Sequence, residues 1–282
     1  MDVLRSIADY RAWHADAGEV AFVPTMGALH AGHLSLVAEA KRHAPKSVVS
    51  VFVNPTQFGP REDFTRYPRP EEDDLAVCEK AGVDAVFLPG VDEMYPAGPR
   101  LLVDVPELTG VLEGKHRPGH FQGVCQIVAK LFNIVRPTAA CFGRKDFQQL
   151  RIVQAMTTAL DLPVNVVGCP TLREFDGLAM SSRNRYLTPD QRARALSISR
   201  ALYLAGEAFD GGARQANRLV TIMQRTLLDV GKLGHVPLSI DYVACVDPNT
   251  LKPVEQIDAP VVCCIAARVG DTRLIDNVAL GV

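Results

Sequence analysis

Pro24-Thr25-Met26-Gly27-Ala28-Leu29-His30-Ala31-Gly32-His33-Leu34 is the stretch that decides the fold. It follows the apolar run Glu19 to Val23 (EVAFV), which reads as a buried strand, and it leads into a helical pattern over His33 to His43. Glycines at 27 and 32 let a ligand approach the backbone closely. His30 and His33 flank the helix start, where unpaired N–H groups and the helix dipole favour an anion. Two imidazoles three residues apart at such a place can donate hydrogen bonds to phosphate oxygens. Those contacts strengthen as charge develops on a leaving group. A zinc pair or two solvated histidines are the other readings. Zinc would need a third ligand, and no nearby Cys or acid stands at the usual spacing.

The same alternation continues outward from this turn. Val48 to Val53 (VVSVFV), Ala85 to Leu88, Ala139 to Phe142 and Asn165 to Gly168 read as strands. Glu71 to Ala81, Phe121 to Val135 and Asp146 to Leu160 carry helical apolar spacing. Strands apolar on both faces, alternating with helices, predict a parallel sheet covered on both sides. The expected fold class is α/β, a Rossmann-like doubly wound parallel sheet with a smaller C-terminal α+β domain.

The texture changes after about Asp176. Thr188 reads as an N-cap with Pro189 at the first helical position, opening a helix to about Asp210 that Gly211-Gly212 breaks. A second helix is expected from Ala213 to about Val230. Leu238 to Val246, Val261 to Val269 and Thr272 to Asn277 read as strands, with Gly270-Asp271 as a hairpin turn. The expected division is a nucleotide-binding catalytic domain over 1–176 and a lid domain over 177–282.

Composition narrows the classes of partner. The 282 residues are 48% hydrophobic and 22% charged, with a formal net charge of -2. No basic excess exists to drive binding to a nucleic-acid backbone. The N-terminus carries acids and no apolar core, so it does not read as a signal peptide, and no run of about 18 apolar residues spans a membrane. A cytoplasmic protein is expected. The seven cysteines lie scattered in apolar stretches without a CxxC pair and read as small buried hydrophobes.

Three more strand-end turns carry polar chemistry. Asn54 and Gln57, in Val53-Asn54-Pro55-Thr56-Gln57-Phe58-Gly59, are neutral donor–acceptors suited to a hydroxy acid. This loop should face the first, because ligands of open parallel sheets bind at the carboxyl ends of strands. In Phe142-Gly143-Arg144-Lys145-Asp146-Phe147-Gln148-Gln149, Lys145 is placed to hold a phosphate, Asp146 is a reasonable N-cap, and Gln149 lies one turn into the helix. Met180-Ser181-Ser182-Arg183-Asn184 offers two hydroxyls and a guanidinium, suited to a phosphate clamp or simply to a turn. His116 and Arg117 sit in a basic loop bounded by glycine and proline, readable as a lid or a solvated loop. Asp73 and Asp74 either approach Mg²⁺ through water or form a solvated, dipole-favoured helix face. His14, His43 and His235 show no partner pattern.

The HxGH arrangement resembles that of the nucleotidyltransferase superfamily, whose members cleave ATP between the α and β phosphates. With VFVNPTQFGPREDFTRYPR, LEGKHRPGHFQGV, FGRKDFQQL and DGLAMSSRNRYL in that order, the chain from about Val23 to Leu187 resembles the pantothenate synthetase (pantoate–β-alanine ligase) family. The resemblance implies ATP-dependent condensation of pantoate with β-alanine through a pantoyl adenylate. It implies that Pro24, Thr25, Met26, Gly27, His30, Gly32 and His33 line the ATP site, with His33, aided by His30, acting on the phosphates. Gly143, Lys145, Asp146, Met180, Ser181, Ser182 and Arg183 would bind the nucleotide, Lys145 and Arg183 as catalytic cations. Leu172 would contact adenosine through its backbone. Gln57 and Gln149, with Asn54 and Met26, would hold pantoate, Gln57 also lying near β-alanine. Mg²⁺, for which Asp74 reads as a candidate through water, and a homodimer are implied as well, the ion and the dimer by the resemblance alone. The chain departs from the family at Arg144, where an acid is common. Arg144 is expected to point away or to lend a phosphate contact. A nucleotidyltransferase acting on a phosphorylated acceptor, or a silent nucleotide-binding module, are the competing functions. The first would need cations where Asn54, Gln57 and Gln149 stand.

Overall fold

Six strands run parallel in the order β1-β4-β3-β2-β5-β6: β1 (Asp2–Leu4), β2 (Val20–Thr25), β3 (Lys46–Val51), β4 (Ala85–Phe87), β5 (Ala139–Gly143) and β6 (Asn165–Cys169). The structure is a computed structural model that describes every residue except 61, 100, 230–235 and 282. His235 and the expected end of the last helix at residue 230 lie outside the described residues.

The central strand β2 is apolar along almost its whole length, with Val20, Ala21, Phe22 and Val23 at 1% exposure or less. Alternate residues serve opposite faces. Ala21 and Val23 pack with Leu36, Val37 and Ala40 of the helix Ala31–Ala40 and with Cys78 of the helix Glu71–Lys80. The other face takes the helices Ile7–Ala17 and His120–Val135, joined where the Tyr10 hydroxyl donates to the Val135 carbonyl at 3.1 Å. Strand order reverses between β2 and β5. The loops after these two strands therefore open on the crevice where such sheets take ligands.

Contacts divide the chain into two units. The first is 1–110, 117–144 and 149–170; the second is 111–116, 145–148 and 171–282. In the second unit, β7 (Leu238–Val246), β8 (Val261–Val269) and β9 (Thr272–Leu280) form an antiparallel sheet in the order β7-β8-β9. The helices Pro189–Asp210 and Ala216–Leu228 pack on one face of it, where Ile198, Leu202, Leu219, Met223, Cys263 and Ile265 are buried together. Thr188 caps the first of these helices in a reciprocal box with Gln191, and Pro189 occupies its first turn. Gly270, at φ +56°, and Asp271 make the two-residue turn between β8 and β9.

Most expected elements stand within three residues of their expected limits; β9 runs three residues beyond Asn277, and the second helix of this unit starts at Ala216 rather than Ala213. The short helices Val91–Met94, Pro106–Thr109 and Glu113–His116 were not anticipated, nor were two elements near the N-terminus. β1 is a three-residue edge strand with no apolar run, and Ile7–Ala17 buries only Tyr10. All seven cysteines are free and buried, as their apolar settings suggested. No described helix is long and apolar enough to cross a membrane.

Candidate active site

Backbone geometry at the end of β2 is fixed by two side chains, Thr25 and Asp74. Thr25 donates its hydroxyl to the Ser50 carbonyl on β3 at 2.7 Å and accepts the Gly27 N–H at 3.1 Å. Gly27 has φ +78°, and a Cβ there would lie 2.8 Å from an Asp74 carboxylate oxygen. Asp74 accepts the Ala28 N–H at 2.8 Å and the Leu29 N–H at 2.7 Å. Asp74 is 3% exposed, and each carboxylate oxygen accepts a turn N–H, so it shapes the loop from beneath.

His30 is the N-cap of the helix Ala31–Ala40, and His33 completes a capping box. His30 Nδ1 accepts the Gly32 N–H at 3.1 Å, and His33 Nδ1 accepts the His30 N–H at 3.3 Å. A nitrogen that accepts carries no proton, so both rings are neutral and carry hydrogen on Nε2. Their centroids lie 4.1 Å apart. Two N–H donors are thereby fixed side by side at a helix N-terminus, an arrangement suited to phosphate oxygens. Pro24 and Gly32 are part of this turn as backbone.

Met26 meets the second loop, with the Gln57 amide donating to the Met26 sulfur at 3.1 Å. Gln57 is 8% exposed and its carbonyl oxygen accepts from Asn54 at 3.1 Å. Asn54, expected to touch substrate, is engaged within the protein. Its Nδ2 donates to Gln57 and to the Gly123 carbonyl, while its Oδ1 accepts from Thr56 and from the Tyr95 hydroxyl at 2.7 Å. With its amide fully engaged at 1% exposure, Asn54 orients Gln57. Gly123 allows the close approach: a Cβ there would be 2.5 Å from the Thr56 carbonyl oxygen.

Sequence reading missed the support behind Gln57. Arg117 donates to both oxygens of Glu62, at 2.6 and 2.7 Å, and its third nitrogen lies 3.0 Å from His120 Nε2. His120 Nδ1 donates to the Gln57 carbonyl at 2.8 Å, which leaves its Nε2 to accept from Arg117. Burial pushes the Glu62 carboxyl up, but the Arg117 hydrogen bond and charge outweigh it and hold the group at about 2. Arg117 is thus a pinned support. His116, assigned to the same loop, belongs to the second unit and faces Tyr242, ring centroids 5.8 Å apart.

Gly143 ends β5, and Gln149, half-buried in the helix Phe147–Ala159, also belongs to the first unit. Arg144 reaches along the sheet and donates Nε to the Gly168 carbonyl of β6 at 3.1 Å. Gln148, beside Gln149, is structural: it binds the Val111 carbonyl and the Glu113 N–H.

The cationic group lies in the second unit. Lys145 and Asp146 form a short 3-10 turn, with Lys145 Nζ 3.8 Å from Asp146. The Met180 N–H donates to the Leu172 carbonyl at 3.0 Å, and Leu172 is exposed. Ser181 caps the 3-10 turn Ser182–Tyr186 by accepting the Arg183 N–H. Arg183 and Ser182 therefore start from a fixed backbone. Among the described residues, no group of three His, Cys, Asp or Glu side chains could hold a metal ion.

A doubly wound parallel sheet whose strand order reverses beside an HxGH turn defines a Rossmann-like α/β protein of the nucleotide-binding kind. The comparisons narrow this class. The pantoate–β-alanine ligase family model matches residues 2–279. The pantothenate synthetase of Pelotomaculum thermopropionicum is 50% identical, covering 100% of this chain and 99% of that protein. That of Moorella thermoacetica is 49% identical over the same shares. The crystal structure of pantothenate synthetase from Thermus thermophilus matches with a TM-score of 0.93 at 46% identity, covering 99% of each chain. The pantoate–β-alanine ligase of Francisella tularensis, complexed with beta-gamma ATP and beta-alanine, matches with a TM-score of 0.80 at 30% identity, covering 99% of this chain and 97% of that one. The chain belongs to the pantoate–β-alanine ligase family. Membership makes it an enzyme, an acid–amino-acid ligase, and sets aside both competing functions.

Proposed function

We propose that the enzyme joins pantoate to β-alanine through a pantoyl adenylate, with His30 and His33 donating ring N–H groups to the phosphates of ATP and Lys145 and Arg183 neutralising their charge. The observation that carries this mechanism is the pair of neutral imidazoles, each locked through Nδ1 to backbone so that the ring hydrogen sits on Nε2. The Francisella relative, complexed with beta-gamma ATP and beta-alanine, supports ATP and β-alanine as substrates.

In the first step a pantoate carboxylate oxygen bonds to the α-phosphorus in line, and the bond to the β-phosphate bridging oxygen breaks. Pyrophosphate leaves with the electron pair. Carboxylate is already nucleophilic, so positioning and charge neutralisation suffice without a strong base. Gln57 and Gln149 hold pantoate, and Gln57, braced by Asn54 and His120, also lies near β-alanine. Leu172 meets adenosine through its backbone, and Gly143, Asp146, Met180, Ser181 and Ser182 complete the nucleotide contacts. In the second step the neutral amine of β-alanine attacks the pantoyl carbonyl, AMP leaves with the bonding pair, and the ammonium proton passes to solvent.

The described residues form no cage for Mg²⁺. The ion is assigned to the ATP phosphates, and no step is routed through a protein metal site. A homodimer, which the family resemblance implies, and a cytoplasmic location, which the composition suggests, are part of this proposal; light scattering should give about twice the chain mass of 30.7 kDa.

Exchange of labelled pyrophosphate into ATP tests the mechanism. It should require pantoate and proceed without β-alanine. His33→Ala and Lys145→Ala should each slow it by about 100-fold or more, the cost of removing a charge-stabilising donor. Exchange that needs β-alanine would overturn the adenylate, and near-normal exchange in both variants would overturn the residue roles.

A further inference from the structure

Two adjacent residues of β9 fasten the cationic loops of the second unit, one through loop backbone and the other through the Arg173 side chain. Asn277 donates Nδ2 to the Lys145 carbonyl at 2.8 Å. Asp276, 4% exposed, receives Arg173 through two bonds of 2.6 and 3.1 Å. Arg173 also donates to the Gly177 carbonyl at 3.1 Å and pairs across a β-bridge with Ala179, the residue before Met180. From there the chain runs directly into Ser181, Ser182 and Arg183.

The register shows how one strand serves both loops. Asn277 stands opposite Cys264 and Asp276 opposite Ile265 on β8. Neighbouring residues of a strand point to opposite faces, so each loop is fastened on its own side of β9. The same face as Asn277 carries Arg273, which binds Glu113 of the segment 111–116. Asp276 also accepts its neighbour's N–H at 2.8 Å, which leaves little rotational freedom at the junction.

We propose that Asn277 is a positioning residue for adenylation: through the Lys145 carbonyl it fixes the turn from which the lysine reaches phosphate, while Asp276 fastens the Arg173–Arg183 loop from the same strand. This rests on the reading under which Lys145 and Arg183 act on the phosphates. Asn277 touches no substrate in this scheme and acts through Lys145. A turn free to shift by about 1 Å would lower the rate by about 100-fold at most. The strand thereby sets the spacing of two charges that must meet one polyphosphate.

The test is a double-mutant cycle on pyrophosphate exchange in the full chain, using Asn277→Ala, Lys145→Ala and the pair. Asn277→Leu, which keeps the volume without the donor, guards against loss of packing. Asn277→Ala and Asn277→Leu should each slow exchange by about 10- to 100-fold. In the Lys145→Ala background the same change should cost less than about twofold, because its target is gone. Equal factors in both backgrounds would show a general structural effect and overturn the proposal, as would wild-type rates in both Asn277 variants. A wild-type rate in Lys145→Ala alone would instead overturn the assignment of Lys145, and this proposal with it.

Discussion

His30 and His33 cap one helix reciprocally, each offering Nδ1 to a backbone N–H, at 3.1 Å from Gly32 and 3.3 Å from His30. Under the proposed mechanism, the structural and chemical duties of each imidazole are divided between its two nitrogens. The duties are separable by substitution. An asparagine side chain places its oxygen near the position of Nδ1 but has nothing at Nε2. His33→Asn should therefore keep thermal stability near wild type while adenylation falls by about 100-fold or more. His33→Ala should lose both, with about 1 kcal/mol of stability from the missing cap. Melting curves and pyrophosphate exchange on the two variants separate these effects, and equal stability loss in both would contradict the division.

Asn54 and Gln57 should part company in the same way. Gln57→Ala should raise the KM for pantoate by about 10- to 100-fold, the loss of a hydrogen bond to a charged group, and should destabilise the fold less than Asn54→Ala, because it leaves one Asn54 N–H unpaired rather than several buried partners. Asn54→Ala should lower stability by about 1–3 kcal/mol, because it strands buried partners at Gln57, Gly123 and Tyr95. Denaturant unfolding alongside steady-state kinetics checks both. A fully stable Asn54→Ala would show that the amide is not the brace it forms here.

Gly123→Ala probes the contact beneath that brace. The new Cβ would meet the Thr56 carbonyl oxygen at 2.5 Å and the Gln57 Cα at 2.8 Å, and backbone cannot swing aside as a side chain does. Destabilisation of about 1–3 kcal/mol is expected, together with a raised KM for pantoate as Gln57 is displaced. Unchanged values would mean that the helix His120–Val135 and the turn Pro55–Gln57 yield easily to one another.

Much of this was legible along the chain, and the limits have physical causes. Strands buried on both faces announce themselves, as β2 and β3 do; β1 is three residues at a sheet edge and carries no such signal. The HxGH turn was legible as a strand-to-helix motif, but not the tautomers of its histidines, which depend on hydrogen bonds. Asn54 and Gln57 look alike in sequence. Their roles are divided by Gly123 and Tyr95, 69 and 41 residues from Asn54. Asp74 reads as a solvated acid until the turn 45 and 46 residues earlier closes on it. Asn277 lies in a third of the chain without motifs, and its link to Lys145 spans 132 residues.

Glu62 gives the acid response a residue-level origin. Its folded carboxyl is held at about 2 against an ordinary value of 4.5. A depressed carboxyl stabilises the fold fully above its unfolded value and loses that contribution as pH falls toward the folded one. Between about pH 4.5 and pH 2 the Glu62–Arg117 pair should weaken and release Gln57. Urea midpoints at pH 6 and pH 3 should differ less in Glu62→Gln than in the unsubstituted protein. An equal difference in both would place the acid sensitivity elsewhere.

The most direct test of the central claim is nucleotide product analysis. The protein is incubated with ATP, Mg²⁺ and pantoate, with and without β-alanine, and AMP and pyrophosphate are quantified. Multiple turnovers of AMP that require both acids, with pyrophosphate in equal amount, are the expected result. No AMP with both acids present, or ADP in its place, would contradict the adenylate-forming ligase.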